Sequence, residues 1–408
     1  MDERSRVLSL FITIMLLLSL IITGTLVVSL SRTKCTPLGD EYGLRAVQGR
    51  LIDANCREVH LTGVNWFGME TSAFAPHGLD VRNWQDMLDQ IVRAGFNTIR
   101  FPFSNQFLEA SSMPQGIDYQ KNPDLRGLHG LSLLDRLVQG ASQRGLKVIL
   151  DRHRPTAYAQ SDLWYTSQVP ESRWIADWVM LARHFLGNPT VIGADLHNEP
   201  HGAATWGSGD PRTDWRLAAE RAGNAILSVN PAWLIIVQGV EQYKGDYYWW
   251  GGNLEGAGQF PVHLLEPEKL VYSIHDYGPE VSYQSWFSAR NFPQNLPGVW
   301  MKYWGYLQVE GVAPVFVGEF GAISVTDSSA GLWMRSLIAF MKHNGFSYTY
   351  WAWNPDTWDT GGLLLDDWQT LDPAKMESLA TYQCPLLGRT LAPLHFQVRT
   401  VSHCSGIP

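Results

Sequence analysis

The stretch VIGADLHNEP, residues 191–200, begins with small and β-branched apolar residues and ends in polar and charged ones. A short apolar run with this ending is typical of a strand buried on both faces of a parallel sheet. Seven other stretches share the form: LTGVNWFG (61–68), FNTIRFPFS (96–104), LKVILDRHR (146–154), LIIVQGVE (234–241), LVYSIHDYGP (270–279), PVFVGEFGA (314–322) and SYTYWAWNP (347–355). The sequence therefore predicts eight buried parallel strands.

Helical patterns separate these strands. Residues 171–187 place Trp174, Trp178 and Leu181 on one face and charged residues elsewhere, as a helix that packs against a sheet requires. Similar apolar spacing recurs in five other segments: 81–94, 130–145, 214–229, 299–310 and 329–344. Residues 242–269 are rich in glycine and aromatic residues and predict a long loop with at most a short helix. Eight strands that alternate with helices predict an α/β fold, a closed (β/α)8 TIM barrel rather than a doubly wound sheet.

The ends of the chain differ from this repeating pattern. Val7 to Leu30 is an uncharged, mostly apolar run of 24 residues, long enough for a membrane signal anchor, while small residues at 29–31 would also suit a cleaved signal peptide. Both interpretations place the rest of the chain outside the membrane. We expect four segments: a leader at 1–34, an N-terminal extension with a bottom-capping hairpin at 35–60, the barrel at 61–383, and a C-terminal tail at 384–408.

Composition excludes some classes of partner. The net charge is -8 and is spread without basic blocks, which argues against a nucleic-acid-binding protein because such proteins need a basic surface. The 18 Trp and 15 Tyr residues imply broad flat surfaces in the core, in a cleft or in both. Histidine, cysteine and carboxylate residues lack metal-ligand spacing, so we expect no metal and no cofactor. We also expect a monomer.

The four cysteines are Cys35, Cys56, Cys384 and Cys404. An even number in an exported protein favours disulfides. Pairing of Cys35 with Cys56 and of Cys384 with Cys404 is one hypothesis, and free buried thiols are the alternative.

Polar side chains follow most of the predicted strands. In a TIM barrel, the active site forms where the strands end, at one rim of the barrel. The candidates at these positions are Arg100, His153, Asn198, Glu199, His275, Tyr277, Glu319, Trp351 and Trp353. Taken singly, each has an ordinary explanation, such as a surface carboxylate, a structural ion pair or a core histidine. Their joint occurrence at matching strand ends indicates a ring of functional groups.

Two glutamates in this ring indicate the reaction class. Glu199 and Glu319 follow the fourth and seventh strands, which lie across the barrel mouth from each other. Glycoside hydrolysis uses two carboxyl groups that flank the scissile bond, and retention of configuration requires a separation of about 5–5.5 Å. We expect Glu319 to be the nucleophile and Glu199 the acid/base.

The neighbouring residues predict how each carboxyl group is tuned. Arg100 near Glu319 would keep that carboxylate ionised, and Tyr277 could donate a hydrogen bond to it. Partial burial and a negative neighbour would keep Glu199 protonated. Asn198 is positioned to hold the sugar 2-hydroxyl.

Three further residues are expected to contact substrate. His153 and His275 would act as polar clamps on sugar hydroxyls or on the acid/base. Trp351 would offer a flat face to a pyranose ring, with Trp353 as the alternative.

The motifs NTIRFP, ILDRHRP, DLHNEP, YSIHDY, VGEFG and YWAWNPDTWDTGG together resemble glycoside hydrolase family 5, the cellulase family of clan A, over residues 44–383. WYTSQVPESRW and GDYYWWGGNLEGAGQ are similar to stretches of bacterial secreted endo-β-1,4-glucanases. This resemblance implies an extracellular enzyme that hydrolyses internal β-1,4-glucosidic bonds of a β-glucan with retention. It also implies that Trp66 and Trp250 are sugar-stacking platforms.

Two alternatives stay open at this point. The first is a hydrolase of another β-glycan, such as mannan, xyloglucan or β-1,3-glucan, because the catalytic ring is shared within the clan. The second is a barrel that binds carbohydrate without cutting it. That alternative would require the loss of an essential carboxylate, and both carboxylates are present.

Overall fold

The computed structural model describes residues 35–39 and 43–387. A closed barrel of eight parallel strands forms its centre. In chain order the strands of the described residues are β1 Arg45–Val47, β2 Arg50–Ile52, β3 Thr62–Asn65, β4 Thr98–Ser104, β5 Lys147–Arg154, β6 Val191–Asp195, β7 Leu234–Gln238, β8 Gln242–Tyr243, β9 Asp246–Tyr247, β10 Leu270–His275, β11 Val315–Glu319 and β12 Ser347–Tyr350. The order around the barrel is β10-β11-β12-β3-β4-β5-β6-β7. The prediction of a (β/α)8 barrel is confirmed, and all eight predicted runs contain a barrel strand.

Helices follow seven of the eight barrel strands. They are α1 Trp84–Arg93, α2 Leu131–Arg144, α3 Glu171–His184, α4 Trp215–Leu227, α5 Leu296–Trp300, α6 Tyr306–Val309, α7 Ser329–Asn344 and α8 Pro373–Leu379. A π-helical turn, Met301–Gly305, joins α5 to α6. All six predicted helical segments are confirmed, and the sequence analysis missed only the short α8.

The long segment after β7 contains no α-helix among the described residues. Its regular structure is the small antiparallel hairpin of β8 and β9 and the 3-10 turn Pro267–Lys269. The prediction of a long loop at 242–269 is therefore confirmed. This loop carries Trp250 towards the barrel mouth.

The bottom of the barrel is closed by apolar packing. Strands β1 and β2 form the predicted antiparallel hairpin, with Arg45 paired to Ile52. Leu51, Val59 and Leu61 from this region pack in one cluster with apolar residues of the barrel strands, namely Ile149, Ile192, Leu234, Ile236, Val271 and Phe316. Because this end is sealed, a substrate has access only to the opposite rim.

The predicted features at the two termini have separate outcomes. The leader at 1–34 and nearly all of the tail at 384–408, including Cys404, lie outside the described residues. Cys35, Cys56 and Cys384 are disulfide-bonded, and within the described part of the chain no cysteine is free. The two pairings remain predictions. Among residues 35–39 and 43–387, no helix is both long and apolar enough to cross a membrane.

Candidate active site

Glu319 is the last residue of β11 and lies in a ring of hydrogen-bond donors. Arg100 Nη1 donates to Oε1 at 2.7 Å, and the Tyr277 hydroxyl donates to Oε2 at 2.7 Å. The residue is only 3% exposed. Both carboxylate oxygens are thus held by strong donors, which fixes the carboxylate in one orientation.

The fully buried Arg100 contacts side chains from four other strands of the barrel. Its guanidinium lies 2.7 Å from Glu319, 2.9 Å from Asp195 and 3.1 Å from Asp151. It also donates to Asn65 at 2.9 Å. Burial alone would lower the pKa of Arg100, but the three carboxylates raise it above its usual range. The Arg100 guanidinium therefore stays protonated among these carboxylates.

Asp151 and Asp195 both form ion pairs with Arg100, and both have raised pKa values. Burial raises the pKa of Asp151 to about 7 and that of Asp195 to about 6, against the opposing effect of Arg100. The two residues are paired in the β5–β6 register. The sequence analysis did not assign a role to either one. The signal was present, since each lies at the end of an apolar run.

Glu199 lies four residues beyond β6, on the facing side of the mouth. Its backbone N–H donates to Gln238 Oε1 at 2.8 Å, and its side-chain Oε1 lies 2.8 Å from His275 Nδ1. The side chain is 14% exposed. Burial raises the pKa of this carboxyl group to about 7, and the negative charge of Asp359 acts in the same direction. The carboxyl group can therefore hold a proton near neutral pH.

His275 bridges the two glutamates. Its Nδ1 lies 2.8 Å from Glu199 Oε1 and 3.3 Å from Glu319 Oε2. One oxygen of each carboxylate and one ring nitrogen all lie within 4.8 Å of one another. Burial lowers the pKa of His275 to about 4, so its imidazole is neutral. The carboxylate spacing agrees with the roughly 5–5.5 Å of retaining glycosidases.

The remaining predicted polar residues line the same cavity. His153 Nδ1 lies 2.7 Å from Asp151 Oδ2, and burial lowers its pKa to about 4. Asn198 Oδ1 accepts from Arg100 at 3.1 Å, and its Nδ2 lies 3.5 Å from His153 Nε2. The Trp351 ring stacks against His153 and Phe67, with centroids 5.4 and 5.3 Å away.

Trp66 was predicted to present a face to sugar, which is wrong, and Trp353, named as the alternative to Trp351, does not present one either. Both are fully buried in the core. Trp66 packs against Phe101 and donates its indole N–H to the His77 carbonyl at 3.1 Å. The physical reason is strand alternation: Asn65 points inward to Arg100, so the next residue points outward to the helix layer.

Trp250 is placed differently. It is 44% exposed, and its ring stacks on His201 with a centroid distance of 3.8 Å and an interplanar angle of 8°. The adjoining Gly251 N–H donates to the Pro200 carbonyl, directly after Glu199. Of the other loop tryptophans, Trp164, Trp206 and Trp249 are buried and Trp358 is exposed.

Two groups in the described residues are close enough together to hold a metal ion: Asp151, His153 and Glu319, and Glu199, His275 and Glu319. Both groups include Glu319, which already forms an ion pair with Arg100 at 2.7 Å. That positive charge disfavours a second cation there.

Comparison with known proteins places these features in a family. Residues 52–357 match the family model of cellulase, glycosyl hydrolase family 5. The chain belongs to this family. The endoglucanase of Paenibacillus polymyxa is 53% identical over 83% of this chain and 86% of that protein. The major extracellular endoglucanase of Xanthomonas campestris is 41% identical over 81% of this chain and 69% of that protein.

Solved structures of family 5 enzymes have the same fold. A hyperthermophilic endocellulase from the archaeon Pyrococcus horikoshii matches with a TM-score of 0.79 and 42% identity, over 84% of this chain and 99% of that one. The catalytic domain of the Xanthomonas enzyme matches with a TM-score of 0.79 and 40% identity, over 83% and 99%. This chain is accordingly a family 5 glycoside hydrolase.

Proposed function

We propose that this chain is a retaining endo-β-1,4-glucanase, with Glu319 as nucleophile and Glu199 as acid/base. The observation that carries the proposal is the pair of carboxylates brought together across His275, within 4.8 Å. One sugar carbon can meet Glu319 on one face while its leaving oxygen meets Glu199 on the other.

In the first step, a carboxylate oxygen of Glu319 bonds to the anomeric carbon as the glycosidic C–O bond breaks. Arg100 and Tyr277 hold that carboxylate in place. Glu199 gives its proton to the departing oxygen, which its raised pKa of about 7 permits near neutral pH.

In the second step, Glu199 acts in reverse. Its carboxylate removes a proton from water, and the water oxygen bonds to the anomeric carbon while the bond to Glu319 breaks. Two inversions give net retention. Asn198 would hold the 2-hydroxyl of the reacting sugar, where hydrogen bonds strengthen in the transition state.

The relatives support a β-1,4-glucan as substrate. Those at 53% and 41% identity are named endoglucanases, and the Pyrococcus endocellulase has been solved in complex with cellotetraose. The exposed ring of Trp250 and the partly buried ring of Trp351 would stack on glucose units, with His153 on a hydroxyl.

Export is the second part of the proposal. Val7 to Leu30 would direct the barrel across the membrane, as a cleaved signal or as an anchor. The Xanthomonas relative is named an extracellular enzyme. We retain the four segments defined above, with the catalytic barrel at 61–383, and expect a monomer.

Proton NMR of the first-formed product from a soluble β-1,4-glucan tests the mechanism. We expect the β-anomer to appear first and to mutarotate later. Initial release of the α-anomer would contradict retention. Reducing-sugar release compared on carboxymethylcellulose, mannan and laminarin tests the substrate, and faster release from mannan or laminarin would contradict the β-1,4-glucan assignment.

A further inference from the structure

Glu199 has an unusual backbone. Its φ is +52°, in the left-handed region that non-glycine residues rarely occupy. Such a conformation is strained and persists only where neighbours hold it. Two contacts hold it here. Gln238 accepts from the Glu199 N–H at 2.8 Å, and His201 Nδ1 lies 2.6 Å from the Glu199 carbonyl oxygen.

His201 has acceptors at both ring nitrogens. A carbonyl oxygen carries no proton, so Nδ1 must donate to Glu199. The other nitrogen, Nε2, lies 3.1 Å from Asp162 Oδ1. The Asp162 side chain is 52% exposed. Contacts at both ring nitrogens thus hold the His201 ring between Asp162, in the loop after β5, and the backbone carbonyl of Glu199.

The flat face of the same ring supports Trp250. The two rings are nearly parallel, with centroids 3.8 Å apart. The next residue, Gly251, packs so tightly on this loop that a Cβ there would lie 3.0 Å from the Cα of Glu199. Trp250, His201 and Glu199 therefore form one contiguous unit, from an exposed aromatic face to the backbone of the glutamate.

We propose that His201 is a positioning residue that couples sugar stacking at Trp250 to the placement of the Glu199 carboxyl group. A sugar stacked on the exposed face of Trp250 would restrict the Trp250 ring and, through the stacking contact, the His201 ring. His201 in turn donates a hydrogen bond to the Glu199 carbonyl and so holds the Glu199 backbone in its conformation. This inference rests on the proposed function, in which Glu199 protonates the leaving group. The ring nitrogens of His201 face the Glu199 backbone carbonyl and Asp162, not the Glu199 carboxyl group.

Two variants separate the two contacts of His201. His201→Phe keeps an aromatic face under Trp250 but cannot donate to Glu199. His201→Gln keeps a donor but loses the ring. His184→Phe is the matched control, because His184 ends α3 in a surface pair with Asp135.

Leaving-group dependence gives a readout that a general structural role would not move. Phenyl β-cellobioside needs acid assistance at the leaving oxygen, whereas 2,4-dinitrophenyl β-cellobioside does not. For His201→Phe we expect kcat/KM to fall about 30- to 100-fold on the phenyl substrate, since a small misplacement can cost about 100-fold. On the dinitrophenyl substrate the change should stay within about threefold, because no proton transfer is needed.

His201→Gln should show the complementary pattern. We expect KM for cellotetraose to rise about threefold to fivefold, as for loss of one aromatic stacking contact, with kcat nearly unchanged. His184→Phe should match the unaltered enzyme on all three substrates.

Equal losses on both cellobiosides in His201→Phe would overturn the inference, and so would the absence of loss on the phenyl substrate. If His201→Phe does not fold by circular dichroism, Asp162→Asn replaces it. We then expect a smaller loss, about threefold to tenfold, again selective for the phenyl substrate; an unselective change would overturn the inference. If the unaltered enzyme cleaves neither cellobioside, the proposed function fails instead.

Discussion

The two glutamates of the cleft lie in opposite electrostatic settings. Glu319 is held by a permanent cation, Arg100, and by a tyrosine hydroxyl, at 2.7 Å each. Glu199 Oε1 instead lies 2.8 Å from Nδ1 of the neutral His275. Burial raises the pKa of Glu199 to about 7. Two identical side chains thus have different surroundings, and we propose that this difference assigns them different roles, Glu319 as nucleophile and Glu199 as acid/base.

This difference comes from what lies behind each residue. Arg100 is fixed by Asp151 and Asp195 as well as by Glu319, so the Glu319 side is a rigid ionic network inside the barrel. Glu199 lies on a loop and depends on Gln238 and His201 for its backbone conformation. We therefore expect the Glu319 side to tolerate change least.

The largest effect should follow removal of the Glu319 carboxylate. Glu319→Gly should lose at least about 10,000-fold in kcat, as removal of a nucleophile does in other enzymes. Added azide should restore turnover of an activated cellobioside and give the α-linked glycosyl azide, identified by NMR. Glu310→Gly on the surface is the control. A β-linked azide product, or no rescue in a folded variant, would contradict the nucleophile assignment.

Glu199→Gln should have a smaller and more selective effect. General acid catalysis contributes about 100- to 10,000-fold, and only where the leaving group needs a proton. We expect a loss of that size in kcat/KM on phenyl β-cellobioside and a much smaller loss on the dinitrophenyl substrate. If the Glu319 variant, rather than the Glu199 variant, showed the loss that depends on the leaving group, the two role assignments would have to be exchanged.

Arg100→Lys tests the ionic side without removing its charge. A lysine cannot make the parallel contacts of a guanidinium, so we expect kcat to fall about 100-fold through misplacement of Glu319. Urea unfolding measures the accompanying loss of stability. Full activity in this variant would show that the charge alone is sufficient.

The pH dependence should report Glu199. Since its pKa is raised to about 7, the group is protonated below that pH and loses its proton above it. The kcat/KM for a cello-oligosaccharide should therefore fall about tenfold per pH unit on the alkaline side. Glu199→Gln should abolish this limb of the profile. An alkaline limb that persists in Glu199→Gln would assign it to another group.

The smallest effect should come from the exposed platform. Trp250→Ala should raise KM for cellotetraose about fivefold, with the unfolding midpoint unchanged, because an exposed ring contributes about 1 kcal/mol. Tyr247→Ala, an exposed aromatic in the same loop, is the control. Equal effects of the two substitutions would show that Trp250 is not a specific platform.

Local sequence patterns predicted the barrel almost completely. Each strand run carries its own signal, an apolar segment that ends in polar residues, so no long-range information is needed to find it. The same rule placed His275 and Glu319 at strand ends, as the structure has them. It also placed Arg100 at a strand end, whereas Arg100 lies inside β4. It missed α8, whose seven residues carry too short a periodic pattern.

The sequence analysis was wrong or incomplete for residues whose environment depends on packing between segments that are distant in the chain. Trp66 and Trp250 are the same residue type, and both follow or lie between predicted strands, yet Trp66 is fully buried and Trp250 is 44% exposed. Likewise, no local pattern distinguishes His201 from another loop histidine. Its role depends on Asp162 and Trp250, which lie 39 and 49 positions away.

The order of strands and the chemical identity of the groups at their ends were determined by the sequence alone, because hydrophobic periodicity and strand alternation act over a few residues. The tertiary structure alone decided which tryptophans face solvent, how far apart the two glutamates lie, and which of them receives the cation. These properties depend on barrel closure, which brings side chains from separate strands to within 4.8 Å of one another.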